Sequence, residues 1–133
     1  MSEIWIVDDD AEMLGAVELM LKVLGQETRG FPGAREAAQA LLSGRCPELM
    51  VVDINMPEIS GLDLVEFVRR RAEWGRLPIV MLSTEAGDVT VDRALRLGAD
   101  AYVTKPVTIE ELERALDAAL EKRKKGVLWD GKR

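Results

Sequence analysis

Four short runs of consecutive apolar residues punctuate the chain: Ile4-Trp5-Ile6-Val7, Leu49-Met50-Val51-Val52, Ile79-Val80-Met81-Leu82 and Ala101-Tyr102-Val103. Runs that are apolar at consecutive positions suit strands covered on both faces. A fifth segment, Glu27-Thr28-Arg29-Gly30-Phe31, is polar enough to read as an edge strand. Helical patterns fill the spaces between. Met13, Val17, Met20, Leu21 and Leu24 form one apolar stripe, and Gly25 is placed to end it. Ala34, Ala37, Ala38, Leu41 and Leu42 form a second, closed by Gly44. A third helix starts at Ser60, an N-cap with Asp63 three residues on, and carries Leu64, Val65 and Val68. The fourth, near Asp88 to Leu97, reads as the least amphipathic, and Gly98 stops it. The last opens on a capping box, Thr108-Ile109-Glu110-Glu111, followed by Leu112, Leu116 and Leu120 at helical spacing.

Five strand–helix units in succession imply parallel pairing, because each crossover must return over a face of the sheet. The expected fold class is a doubly wound α/β domain over residues 1–122, followed by a basic C-terminal tail over 123–133. The cluster Lys122-Arg123-Lys124-Lys125 suits a helix C-terminus and solubility.

Composition narrows the chemistry. The 133 residues hold 18 Lys and Arg against 24 Asp and Glu, a net charge of −6, which argues against nonspecific nucleic-acid binding. With no His and a single cysteine, Cys46, the chain has no imidazole base, no internal disulfide and no Cys-based zinc site. No apolar run approaches the ~18 residues needed to span a bilayer, and no signal peptide precedes the first acidic cluster, so a cytoplasmic location is expected.

In open α/β sheets ligands bind outside the carboxyl ends of the strands. There the chain places Asp8-Asp9-Asp10 after Ile4–Val7, Asp53 after Leu49–Val52, Ser83-Thr84 after Ile79–Leu82 and Thr104-Lys105-Pro106 after Ala101–Val103. Asp10 is most simply the N-cap of the first helix. A lone Asp or Lys at a strand end means little, but carboxylates ~4 Å apart repel by a few kcal/mol at intermediate dielectric. A fold that gathers them needs a counter-charge, and both Lys105 and a hard divalent cation qualify. Oxygen-only ligands select Mg²⁺-type metals. Metal and lysine together suit a phosphoryl group, with a carboxylate as nucleophile. No glycine-rich phosphate loop is present, so a nucleotide is not the expected carrier.

From residue 3 to about 122 the sequence resembles a receiver domain of the two-component response-regulator family. The matching residues are Asp8-Asp9, Asp53-Ile54-Asn55-Met56-Pro57 with Gly61, Ser83, and Lys105-Pro106. The gaps fit as well: 44 residues from Asp9 to Asp53, 30 from Asp53 to Ser83 and 22 from Ser83 to Lys105. The resemblance implies a flavodoxin-like (βα)5 three-layer sandwich with parallel strand order 2-1-3-4-5. It implies Asp53 as phosphoacceptor from a sensor histidine kinase or phosphotransfer protein. Asp8, Asp9, Asp53 and the backbone carbonyl of Asn55 would be the Mg²⁺ ligands. It further implies Lys105 paired with Asp53, Ser83 as the hydroxyl that follows the phosphoryl group, Tyr102 as the switch aromatic, and a cis Lys105-Pro106 bond. Trp5 and Trp74 read simply as packing residues.

Asn55 and Glu85 resemble the pair found in chemotaxis-type single-domain regulators and imply fast self-dephosphorylation. Thr84, bulkier than the usual Ala or Gly, pulls the other way, and Val107 replaces an aromatic. The implied output is a protein partner bound on the face of helix 4, strand 5 and helix 5, with the domain a monomer or a phosphorylation-dependent dimer. Length favours a single-domain protein of this kind over the receiver module of a longer regulator with a DNA-binding or enzymatic output. Beyond self-phosphorylation and self-dephosphorylation no enzymatic activity is expected. A small Asp-nucleophile phosphohydrolase would want a second Asp where Asn55 stands. A flavodoxin-like cofactor binder would leave the rim carboxylates and lysine unexplained.

Overall fold

The computed structural model describes residues 3–124; from residue 125 on, the expected tail lies outside them. Five strands, β1 (Ile4–Val7), β2 (Thr28–Phe31), β3 (Leu49–Asp53), β4 (Ile79–Ser83) and β5 (Ala101–Thr104), alternate with five helices. The helices are α1 (Ala11–Val23), α2 (Ala34–Leu42), α3 (Gly61–Arg69), α4 (Asp88–Leu97) and α5 (Ile109–Lys124). The sheet is parallel throughout in the order β2-β1-β3-β4-β5. β1, β3 and β4 are buried at every position, as their unbroken apolar runs require, whereas β2 at the edge buries only Phe31.

Alternation along each strand divides the core in two. Trp5, Val7, Met50, Val52, Ile79 and Met81 pack with Leu41, Leu64, Val65 and Val68 of α2 and α3. Ile4, Ile6, Leu49, Val51, Val80 and Leu82 pack with Val17 and Leu21 of α1 and Leu112 and Leu116 of α5. Trp5 and Trp74 are both core residues. The helix ends follow the local signals. Asp10 caps α1 by accepting from the amides of Glu12 and Met13. Ser60 and Asp63 close a reciprocal capping box on α3, and Thr108 and Glu111 do the same at α5. Gly25, Gly44 and Gly98 stand at φ of 83°, 99° and 119°, where a side chain would be strained.

Two expectations need correction. α4 is clearly amphipathic, with Ala94 buried, Leu95 and Leu97 against the core, and Asp92, Arg93 and Arg96 toward solvent. The helix with the weakest sidedness is α1, where Leu19 and Val23 are exposed. Arg123 is no surface charge: it lies in the last turn of α5, is 5% exposed, and enters a buried ion-pair cluster. A short 3-10 turn, Ala72–Trp74, also follows α3.

Candidate functional site

Register aligns the ends of the central strands. Val7 of β1 stands beside Val52 of β3, Asp53 beside Leu82 of β4, and Ser83 beside Thr104 of β5. The residues at or just after those ends therefore meet at one rim. The Lys105 ammonium donates to Asp53 Oδ1 at 2.8 Å and to Asp8 Oδ2 at 3.4 Å. Asp8, Asp9 and Asp53 each bring a carboxylate oxygen to within 4.8 Å of one another. Asp8 and Asp53 are buried and Asp9 is exposed, so the cluster is open on one side.

The surroundings fix each group. Asp8 Oδ1 accepts from the amide of Asp10, which ties its carboxylate to the start of α1. The main chain after Asp53 folds tightly over Gly61, whose amide donates to Ile54 O at 2.8 Å. A Cβ on Gly61 would lie 2.1 Å from Asp53 O, so only glycine fits. Pro57 O accepts from the amide of Ile59 across Glu58, which is held at φ 68°. Lys105 is brought beside β4 by its own amide, which donates to Ser83 O at 2.8 Å. The Lys105-Pro106 bond is cis.

Electrostatics mark the cluster as short of positive charge. Burial raises the Asp53 carboxyl above its ordinary value, and the charges of Asp8 and Asp9 push the same way, while Lys105 opposes them. Burial works against the Lys105 charge. Its hydrogen bond to Asp53 and the charges of Asp53 and Asp8 outweigh that, so its pKa is raised. Three carboxylates on one ammonium leave two negative charges over. At ~5 Å and an effective dielectric of 20, each unscreened carboxylate pair costs on the order of 3 kcal/mol.

Around this centre, Ser83 is fully buried and its hydroxyl oxygen accepts from the amide of Glu85. Asn55, Thr84 and Glu85 lie exposed around the rim. The Tyr102 hydroxyl donates to Glu85 O at 2.6 Å, and Thr90 Oγ1 donates to the Glu85 carboxylate at 3.3 Å. Glu85 thus joins Ser83 and Tyr102 through its main chain and the first turn of α4 through its carboxylate. Sequence reasoning singled out Glu85 only for its side chain, because main-chain hydrogen bonding leaves no residue-type signal.

A second polar cluster had no sequence expectation at all. At the opposite end of the sheet, the fully buried carboxylate of Asp100 accepts from Arg69 Nη2 at 3.0 Å, Arg123 Nη2 at 2.5 Å and the amide of Ile79 at 2.9 Å, and it forms an ion pair with Lys122 Nζ at 3.4 Å. Its members are scattered over more than 50 residues, and each looks like an ordinary surface charge in the sequence.

A family model described as the response regulator receiver domain matches residues 4–117. Over 116 residues the chain is 34% identical to the chemotaxis protein CheY1 of Helicobacter pylori, covering 86% of this chain and 94% of that protein. It is 37% identical over 122 residues to a probable transcriptional regulator, ycf27, of Galdieria sulphuraria, covering 90% of this chain and 46% of that protein. Among solved structures, the chemotaxis protein CheY4 of Vibrio cholerae has a TM-score of 0.81 at 29% identity, over 90% of this chain and 99% of that one.

Proposed function

Because this chain belongs to the response regulator receiver family, we propose that its rim cluster accepts a phosphoryl group on Asp53 and converts it into a change of the α4–β5–α5 face. The observation that carries this reading is the single ammonium of Lys105 shared by two buried carboxylates, Asp53 and Asp8, with Asp9 alongside. As a receiver domain of two-component signalling, the chain takes its phosphoryl group from a histidine that it does not itself possess. An Asp53 oxygen attacks phosphorus, the phosphorus–nitrogen bond of the donor breaks, and the imidazole leaves with the bonding pair and takes up a proton.

The donor set suits a hard divalent cation, because every ligand is oxygen and two negative charges stand uncompensated. Asp8, Asp9, Asp53 and the Asn55 carbonyl would hold Mg²⁺, which supplies positive charge to the transferring phosphoryl oxygens. Lys105, already 2.8 Å from Asp53, meets the same oxygens and needs little reorganisation.

A phosphoryl group adds about −1.5 to −2 charges and three acceptor oxygens. Ser83 is the buried hydroxyl at the end of β4, and turning toward those oxygens takes it from the Glu85 amide. Glu85 in turn carries Tyr102 and Thr90, so the displacement reaches β5 and α4. That face, with a shallow hollow lined by Tyr102, Thr104, Glu111 and Arg114, is the surface for a protein partner. Among the described residues no helix is long and apolar enough to cross a membrane, which supports a cytoplasmic site of action. Apart from forming and losing its own phosphate, the domain carries out no catalysis.

Titration with beryllofluoride, a phosphoryl mimic, plus Mg²⁺ tests the reading by amide NMR. The expected result is a shift at Asp53, Ser83, Glu85 and Lys105 that requires both components and is absent in Asp53→Asn. Shifts that persist in Asp53→Asn would place the phosphoryl site elsewhere.

A further inference from the structure

The two ends of α4 are held very differently. From Thr84 to Val89 every residue is exposed, Val89 to 84%, and the N-cap Gly87 offers no side-chain hydrogen bond. The first turn is tied to the rest of the molecule through Thr90 Oγ1, which donates to the Glu85 carboxylate. The C-terminal end is built into the core. Ala94, Gly98 and Ala99 are buried, and the amides of Gly98 and Ala99 close the helix on Leu95 O and Ala94 O. Gly98 sits against Arg69 so closely that a Cβ would lie 2.5 Å from Arg69 Cγ. Arg69 Nε donates to Gly98 O at 2.9 Å, its Nη1 to Trp74 O at 3.0 Å, and its Nη2 to Asp100. Asp100 is itself fixed to β4 in both directions, its amide on Ile79 O and its carboxylate on the Ile79 amide.

We propose that α4 is a lever hinged at its C-terminal end, with Arg69 and Asp100 as the fulcrum, so that switching moves residues 84–92 and leaves 98–100 in place. The identification of Asp53 phosphorylation as the input rests on the function proposed above, while the lever itself rests on the anchoring. A ten-residue helix is about 15 Å long, so rotation about one end is amplified into movement at the other. The free end lies beside Glu85, where the displacement of Ser83 arrives. The fulcrum lies at the far end of the sheet, and it also holds Arg123 of α5 and the start of β5. One buried carboxylate therefore fixes the same end of all three elements of the output face, and the face opens or closes from its rim side. Arg69 and Asp100 are positioning residues; neither touches the phosphoryl site.

Amide hydrogen exchange by NMR on the full chain tests this. Without beryllofluoride, Val91, Asp92 and Arg93 are expected to exchange at least about tenfold faster than Ala99 and Asp100. A smaller difference overturns the lever. With beryllofluoride and Mg²⁺, shifts should concentrate in residues 84–92, and equal shifts at 98–100 overturn it. Arg69→Lys removes the fulcrum, since one ammonium cannot reach Gly98 O, Trp74 O and Asp100 together. It should speed exchange at Ala99 at least about tenfold while beryllofluoride still binds; unchanged protection of Ala99 overturns the proposal. If beryllofluoride has no effect anywhere, the Asp53 reading fails, and the metal-free comparison still decides the lever. That comparison needs only the unsubstituted protein, so it stands even where Arg69→Lys does not fold.

Discussion

Asp53 carries a charge that its neighbours compensate only in part. Burial and the carboxylates of Asp8 and Asp9 raise its pKa against the pull of Lys105. A carboxyl raised in the folded state stabilises the fold most below its unfolded pKa, and that contribution is lost as the pH rises through the folded value. In Mg²⁺-free buffer, Asp53→Asn should thus be at least as stable as the parent protein at about pH 7, with the gap closing toward about pH 4. Mg²⁺ should raise the melting temperature of the parent more than that of the variant. Thermal melts across this range check both; a variant less stable than the parent at neutral pH without metal would contradict the charge account. Asn55, two residues past Asp53, and Glu85, two past Ser83, are both exposed, and we propose that they shorten the life of the phosphate. A lifetime of seconds to minutes is expected for the isolated phosphoprotein, lengthened in Asn55→Ala and Glu85→Ala; an hours-long lifetime in the unsubstituted protein would sink this. Asp8, Asp53 and Ser83 were legible in the sequence because each directly follows an apolar run, whereas Asn55 and Glu85 were legible only through the family resemblance. Gly61 was legible only as part of a motif, and its reason, the 2.1 Å approach to Asp53 O, arises only in the folded loop.

Among the elements, the loop from β3 to α3 decides where Asp53 points. Gly61→Ala forces a methyl into the Asp53 carbonyl and should cost about 3 kcal/mol while reducing phosphorylation. Glu58→Gly works in the opposite direction. It relieves a non-glycine residue at φ 68°, and a gain of about 0.5–1 kcal/mol is expected with the site undisturbed. Urea denaturation of both variants reads the two signs, and a stabilised Gly61→Ala or a clearly destabilised Glu58→Gly would show that the loop is not held as described. Strand and helix identities came through in the sequence because burial on both faces writes consecutive apolar runs and caps write short polar signatures. The sidedness of α4 did not. It buries one alanine and shields Leu95 and Leu97 only in part, so its stripe is thin beside those of α2 and α3. The 3-10 turn carries no pattern longer than three residues.

On the scale of the whole molecule, two charge clusters hold opposite ends of one sheet. The rim cluster, the proposed phosphoacceptor site, is short of positive charge. The Asp100 cluster is buried and structural, joining α3, β4, β5 and α5. Asp100→Ala strands the buried Arg69 and Arg123 guanidinium groups and should cost about 3–5 kcal/mol, whereas surface pairs such as Arg96–Asp92 should cost less than about 1 kcal/mol. Equilibrium unfolding distinguishes them, and similar losses in both would refute the difference in role. This cluster was invisible in the sequence because charged residues are normally exposed, and only the fold shows that Arg123 turns inward. The account as a whole is tested most directly by incubating the protein with acetyl phosphate and Mg²⁺ and locating the adduct by mass spectrometry. It predicts a single phosphoryl group on Asp53, dependent on Mg²⁺ and absent in Asp53→Asn. No adduct, or one that survives the substitution, would contradict it.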